Sequence, residues 1–103
     1  MKPIRFKIAM RKGDLGVFEV DYKETEGYLI EDEVVVHKGN LGVYTKWRLS
    51  DLRTGLALSS KNFNTRKEAI KYYRTSLKRK ILTYKKTSKY KKSLSRFKPN
   101  NKI

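Results

Sequence analysis

The amino-acid sequence predicts an α+β protein: a mostly antiparallel sheet of about five strands, one long C-terminal helix packed across it, and a flexible basic tail. Three observations carry that prediction. Apolar and polar residues alternate through much of the first 60 positions, interrupted by Gly, Asn and Asp turn signals. Over 65–86 the period changes to three and four, with Ile70, Tyr73, Leu77, Ile81 and Tyr84 on one stripe. Beyond Lys86 apolar residues thin out and the chain runs into Pro99, Asn100 and Asn101. A chain of 103 residues fills one modest core, so 1–86 is assigned to a single domain and 87–103 to a tail that is disordered when free.

Taken in order, Ile4, Phe6, Ile8 and Met10 alternate with Arg5, Lys7 and Ala9 as a half-buried strand does. Lys12, Gly13 and Asp14 signal a turn, and 16–22 return as the second arm of a hairpin. The acidic stretch 23–26, closed by Gly27, reads as a connection. A strand over 28–38 sets Val34 and Val36 against Val35 and His37 and ends at Gly39 and Asn40. The next, over 43–50, gives Val43, Thr45, Trp47 and Leu49 to the core and leaves Tyr44, Lys46, Arg48 and Ser50 on a basic, aromatic face. A turn at 51–55 leads to a short last strand over 56–60. The turn chemistry of 12–18, KGDLGVF, is echoed by 38–44, KGNLGVY, which reads as two hairpins of one kind. Thr65 and Glu68 then form a capping box that opens the helix.

Charge points to a partner. The formal net charge is +16 and the isoelectric point about 10.2. Residues 1–60 hold ten Lys/Arg against nine Asp/Glu, whereas 61–103 hold sixteen against one, Glu68. A near-neutral body with a polycationic end attracts polyanions, nucleic acid foremost. Lys67, Lys71, Arg74, Lys78 and Lys85 share a stripe with no later acid on the helix to neutralise it, so an external anion would relieve their repulsion. The expected function is non-catalytic nucleic-acid binding dominated by the backbone. Lys67, Lys71, Arg74, Lys78, Arg79, Lys85, Lys86, Lys89, Lys91, Lys92 and Arg96 would contact phosphate, with Tyr44, Lys46 and Arg48 reading bases. Tyr44, Tyr72, Tyr90 and Phe97 are candidates for stacking on unpaired bases. The alternative is a small inhibitor or accessory protein whose near-neutral sheet binds another protein, such as a nucleic-acid enzyme.

Other chemistry finds little support. There is no cysteine, which excludes disulfides, thiolate zinc sites and thiol nucleophiles. His37 is the only histidine and reads as a strand residue rather than a ligand. Glu31 and Glu33 share a strand face, and Asp14 with Asp21, Tyr22 and Lys23 supplies carboxylates of the kind a metal-dependent nuclease uses; a solvated acidic edge is the better reading. No catalysis, metal or cofactor is expected. Arg5 and Lys7 interrupt any apolar leader, and no run approaches a membrane span, so a soluble, cytoplasmic protein is expected.

Within 47–73, Phe63-Asn64-Thr65-Arg66-Lys67-Glu68-Ala69 resembles the F-x-T-K-x-E-A helix opening of the AP2-like DNA-binding domains of tyrosine-type phage and transposon integrases. Trp47, Ser50, Thr54, Gly55 and Leu56 similarly resemble the W-x-x-[ST]-x-x-x-T-G-L pattern of small phage-type ββα proteins. The resemblance implies three strands followed by a helix, a sheet face that enters the major groove, DNA ahead of RNA, and a phage or mobile-element setting. It covers about a third of the chain, and its motif fixes no base-reading position. An additional N-terminal hairpin and the long basic tail depart from that family.

Overall fold

The computed structural model describes residues 2–12, 19–41, 44–99 and 101. Most of the repeated turn sequence, at 13–18 and 42–43, lies outside the described residues. Strands β1 (Pro3–Lys12), β2 (Glu19–Leu29), β3 (Val34–Leu41) and β4 (Tyr44–Asp51) form a four-stranded antiparallel sheet in the order β1-β2-β3-β4. The fold class is therefore α+β as the sequence predicts, with four strands among the described residues where about five are expected.

Charge pairing extends β2 through the stretch read as a connection. Residues 23–26 are strand, paired with 5–8 of β1, and Arg5 Nε lies 2.6 Å from Glu24 Oε1. A polar KETE segment holds a strand because its partner strand is basic, which favours opposite charges on neighbouring positions. β3 likewise runs through Gly39 and Asn40 to Leu41 instead of ending at them. The expected fifth strand over 56–60 is reduced to one isolated bridge, Ser50 with Ala57, and a second bridge beyond it joins Trp47 to Phe63 along β4. Leu58 N–H to the Leu49 carbonyl (2.9 Å) and Phe63 N–H to the Trp47 carbonyl (2.9 Å) still cover that edge.

The opposite edge, β1, is closed by distant chain. Ala9 N–H donates to the Gly55 carbonyl at 2.8 Å, while the Asn101 side chain accepts from Lys7 N–H (2.6 Å) and donates to the Lys7 and Leu52 carbonyls (2.9 Å each). Gly55 suits this closure for two reasons. Its φ is +72°, and a Cβ there would stand 2.7 Å from the Lys7 carbonyl oxygen.

Two core layers result, one on each face of the sheet. Ile30, Val34, Val36 and Leu49 pack with Ala69, Tyr73 and Ile81 on the helical side, and Phe6, Val35 and Leu52 pack on the other. β3 is covered on both faces, so Val34, Val35 and Val36 are all fully buried. The single histidine belongs to the second layer. His37 Nδ1–H donates to the Lys38 carbonyl (3.2 Å), Nε2 accepts from the Ser50 hydroxyl (2.7 Å), and Phe6 packs edge-on at 5.3 Å. Burial, and secondarily the Arg48 charge, depress its pKa against the Lys38 carbonyl bond, so the ring is held neutral.

The helical region departs most from the single-helix expectation. α1 (Arg66–Tyr72) begins where Thr65 Oγ1 accepts from Glu68 N–H at 3.1 Å. It passes through a π-helical turn, Tyr73–Leu77, into α2 (Lys78–Lys85), forming one rod. Within that turn the Thr75 hydroxyl donates to the Lys71 carbonyl (2.8 Å), competing with the amide bond expected there. The apolar stripe read from the sequence faces the sheet, with Tyr73 fully buried and Ile81 nearly so. A second helix, α3 (Ser88–Arg96), occupies the segment assigned to the tail, opening where Thr87 Oγ1 accepts from Tyr90 N–H (3.3 Å). Tyr90, Phe97 and Pro99 are buried, which binds this segment to the body. Among the described residues no helix is long and apolar enough to cross a membrane.

Candidate nucleic-acid interface

The predicted contact residues divide according to what the β2–β3 loop reaches. Residues 31–33, Glu-Asp-Glu, sit in a tight turn in which Asp32 (φ 62°) and Glu33 (φ 58°) both take the left-handed conformation. Such geometry costs about 1 kcal/mol or more per non-glycine residue. It is held by contacts from the rod: the Tyr73 hydroxyl donates to Asp32 Oδ2 (2.7 Å), and Lys85 donates to the Asp32 carbonyl. Arg74 grips Glu31 with two hydrogen bonds, Nε to Oε1 at 2.9 Å and Nη2 to Oε2 at 3.2 Å. Lys78 Nζ lies 3.8 Å from both Glu31 and Asp32, and Arg53 takes Glu33. The Glu31 carboxyl is held below its ordinary range, chiefly by the Arg74 hydrogen bond.

These contacts correct two expectations. Arg74, Lys78 and Lys85 are paired, by acids that lie far away in sequence. Glu31 and Glu33 occupy a turn rather than a strand face, and each carries a cation from the protein itself.

Lys85 goes deepest. Its side chain is 17% exposed, with Nζ 3.2 Å from Oδ1 of Asp51, which is 1% exposed. That contact is an ion pair outside hydrogen-bond geometry. The other oxygen, Oδ2, accepts from the Tyr90 and Thr54 hydroxyls at 2.9 Å each. Burial and the Asp51 charge raise the Tyr90 pKa well above the usual phenol range, so the hydroxyl stays a donor. Tyr90 is thus the bolt that fixes α3. Neither Tyr90 nor Phe97 presents a ring to solvent for stacking, contrary to the sequence reading.

The outer side of the rod is different. Lys67, Lys71, Arg79, Lys80 and Lys86 are exposed, and no acid among the described residues pairs with them. They line two shallow clefts of about 690 and 700 Å³ that meet at Arg74 and Thr75. Lys80 escaped the sequence reading. On α3, Lys89, Lys91 and Lys92 are exposed, and Arg96 lies 5.6 Å from the centre of the Phe97 ring.

The expected base-reading strand face is less open than the alternation suggests. Lys46 Nζ donates to Asn64, and the Arg48 Nε is buried without a partner while its chain lies over Gly39. The Tyr44 side chain lies outside the described residues. A partly exposed aromatic surface lies instead on the helical face of the sheet, near the start of α1, where Tyr28, Trp47, Phe63 and Tyr72 pack against the edge of the main core. Tyr28 and Trp47 stand 6.2 Å apart, with the Arg66 guanidinium 4.1 Å above Tyr28 and Lys38 Nζ 5.5 Å from Trp47. Nearby, Phe63 meets Tyr72 at 5.2 Å beneath Lys61, 4.6 Å from the Tyr72 ring. The sequence carries Tyr72 as a stacking candidate and gives Trp47 to the core face, where it packs partly buried against the main core; that Trp47 and Tyr28 also keep some exposed surface is not visible in the alternation.

No three histidine, aspartate or glutamate side chains converge to hold a metal among the described residues. No family model, no curated protein and no solved structure matches this chain, so its function has to be read from its own residues.

Proposed function

We propose that the protein binds nucleic acid without catalysis, gripping phosphate along the outer side of the helical rod. One observation carries the reading: the acidic turn neutralises the inner cations and leaves Lys67, Lys71, Arg79, Lys80 and Lys86 side by side, without an internal partner among the described residues. A protein with sixteen Lys/Arg against one acid over 61–103 keeps that local repulsion only at a cost in stability, which polyphosphate would offset. Lys89, Lys91 and Lys92 on α3 are exposed as well and add further positive charge. The resemblance of the helix opening adds a preference for DNA over RNA and a phage or mobile-element setting; a cytoplasmic compartment is part of the proposal on the separate ground that Arg5 and Lys7 break any apolar leader.

Salt-titrated binding to duplex DNA, single-stranded DNA and structured RNA tests the proposal. Use of about five phosphate contacts gives a slope of log affinity against log salt near −3.5 to −4.5, according to strandedness. No binding at about 50 mM salt, or affinity indifferent to salt, would sink it.

A further inference from the structure

We infer that the surface formed by Trp47, Tyr28, Lys38 and Arg66 is a stacking site for one unpaired base of a single-stranded nucleic acid, with the adjoining phosphates held by Lys38 and Arg66. The inference deepens the proposed function and rests on it. Both rings are half-buried, so each keeps exposed surface, and they line a depression of about 380 Å³ with Thr25, Glu26 and Lys38. At 6.2 Å and 44° the rings make a tilted floor with no slot between them, and one planar group fits by stacking on the Arg66 guanidinium that covers Tyr28 and on the open part of Trp47. Stacking of a base on an aromatic ring tolerates any sequence, since every base has a π face.

Charge selects the class of ligand. An aromatic floor also attracts organic cations. Here each ring already has a cation of the protein over it, Arg66 on Tyr28 and Lys38 on Trp47, against the single carboxylate of Glu26. A further cation would meet repulsion, whereas a neutral base attached to anionic phosphate satisfies rings and cations together. Arg66 makes the site continuous with the backbone surface, because it also begins the cleft lined by Lys67, Ile70, Lys71 and Arg74. A strand held along the rod therefore delivers a base to the rings at the start of α1. A fully paired duplex keeps its bases inside and has none to offer.

Trp47 is the only tryptophan, so its emission reports this site alone. The full-length protein is titrated at about 50 mM salt with a short end-labelled single strand and with the matching duplex, reading label anisotropy for binding and tryptophan emission for stacking. The single strand should quench Trp47 as it binds, and the duplex should bind without quenching. Tyr28→Ala should weaken the single strand roughly 5- to 100-fold, the range for losing one stack, and Lys38→Ala should weaken it with a salt slope shallower by about 0.7, while both leave the duplex within about twofold. Lys38 is exposed, so that variant retains the fold and keeps the test valid if Tyr28→Ala does not. Binding of both strands by anisotropy with no change in Trp47 emission would overturn this inference and leave the proposed function standing. Absence of binding by either strand would overturn both.

Discussion

Arg74, Lys78 and Lys85 lie on the same rod as Lys67, Lys71, Arg79 and Lys86, and sequence alone gives the two groups one meaning. The fold separates them. The first group meets Glu31, Asp32 and Asp51, from a turn and a strand end lying 34 to 47 residues earlier. The second group meets no acid among the described residues. A count of lysines and arginines therefore overstates the interface, and what matters is the charge left over after the fold has used its share.

The sharpest way to break this comparison is at Asp51. Asp51→Ala removes the carboxylate that pairs with Lys85 and accepts from Tyr90 and Thr54, leaving a mostly buried ammonium with only the Asp32 carbonyl and no counter-ion there, and two hydroxyls without their acceptor. The expected cost is about 3–5 kcal/mol by chemical denaturation, with α3 the first element to lose amide protection. A cost below about 1 kcal/mol would mean that the inner cations do not hold the fold together.

The outer group is tested by the triple substitution of Lys67, Lys71 and Arg79 to Ala. The slope of log affinity against log salt should become shallower by about 2.5 to 3 for duplex DNA, with stability changed by no more than about 0.5 kcal/mol. The double substitution of Arg74 and Lys78 should reverse the pattern, costing stability and moving the slope by less than one. Equal slopes from the two variants would erase the distinction between inner and outer cations.

Stability against pH tests the interior and the inner ion pairs by a second route. The His37 pKa is depressed in the folded protein, so the unfolded chain takes up the proton first and stability falls as pH drops below the ordinary value of 6.5. Glu31 is also depressed, so its contribution is complete above about 4.5 and is lost as pH falls through the lower folded value. The thermal midpoint should decline in two stages on acidification. His37→Gln should remove the first stage and retain the second. A variant that keeps both stages would take the first away from the buried imidazole.

Local signals were legible in the sequence and distant ones were not. The alternation of Val34, Val35 and Val36, the Thr65 cap and the stripe through Tyr73 and Ile81 are set by neighbours in the chain, and each appears in the structure where its pattern puts it. The extension of β2 through residues 23–26 depends on β1 lying alongside, and the pairing of Arg74 depends on a turn 43 residues away. No periodicity encodes either. α3 was overlooked for another reason. Its high charge resembles a disordered tail, and its anchors, Tyr90 on Asp51 and Asn101 on β1, act across 39 and 94 residues. The local signs of it are the Thr87 cap and the three-and-four spacing of Tyr90, Leu94 and Phe97, which the sequence reads only as a short amphipathic turn formed on binding. Of the interface, the outer lysines were readable from spacing, while the aromatic surface at Trp47 needed the position of α1.

The smallest expected effect is the most discriminating, because it moves one residue from the inner group to the outer. Glu31→Gln keeps the shape of the turn and removes the charge gripped by Arg74, whose side chain is already 55% exposed. Being solvent-screened, the pair contributes only a few tenths to about 1 kcal/mol, so the variant should lose that much stability near neutral pH. The same change frees the Arg74 guanidinium at the point where the two outer clefts meet. Polyanion affinity should therefore rise a few-fold and the salt slope steepen by up to about one contact. Below the folded pKa of Glu31 the wild-type carboxyl is protonated too, so both differences should close as the pH falls there. A variant that loses stability with no gain in affinity would show that Arg74 belongs to the fold alone, and the interface would then run along the lysines on either side of it.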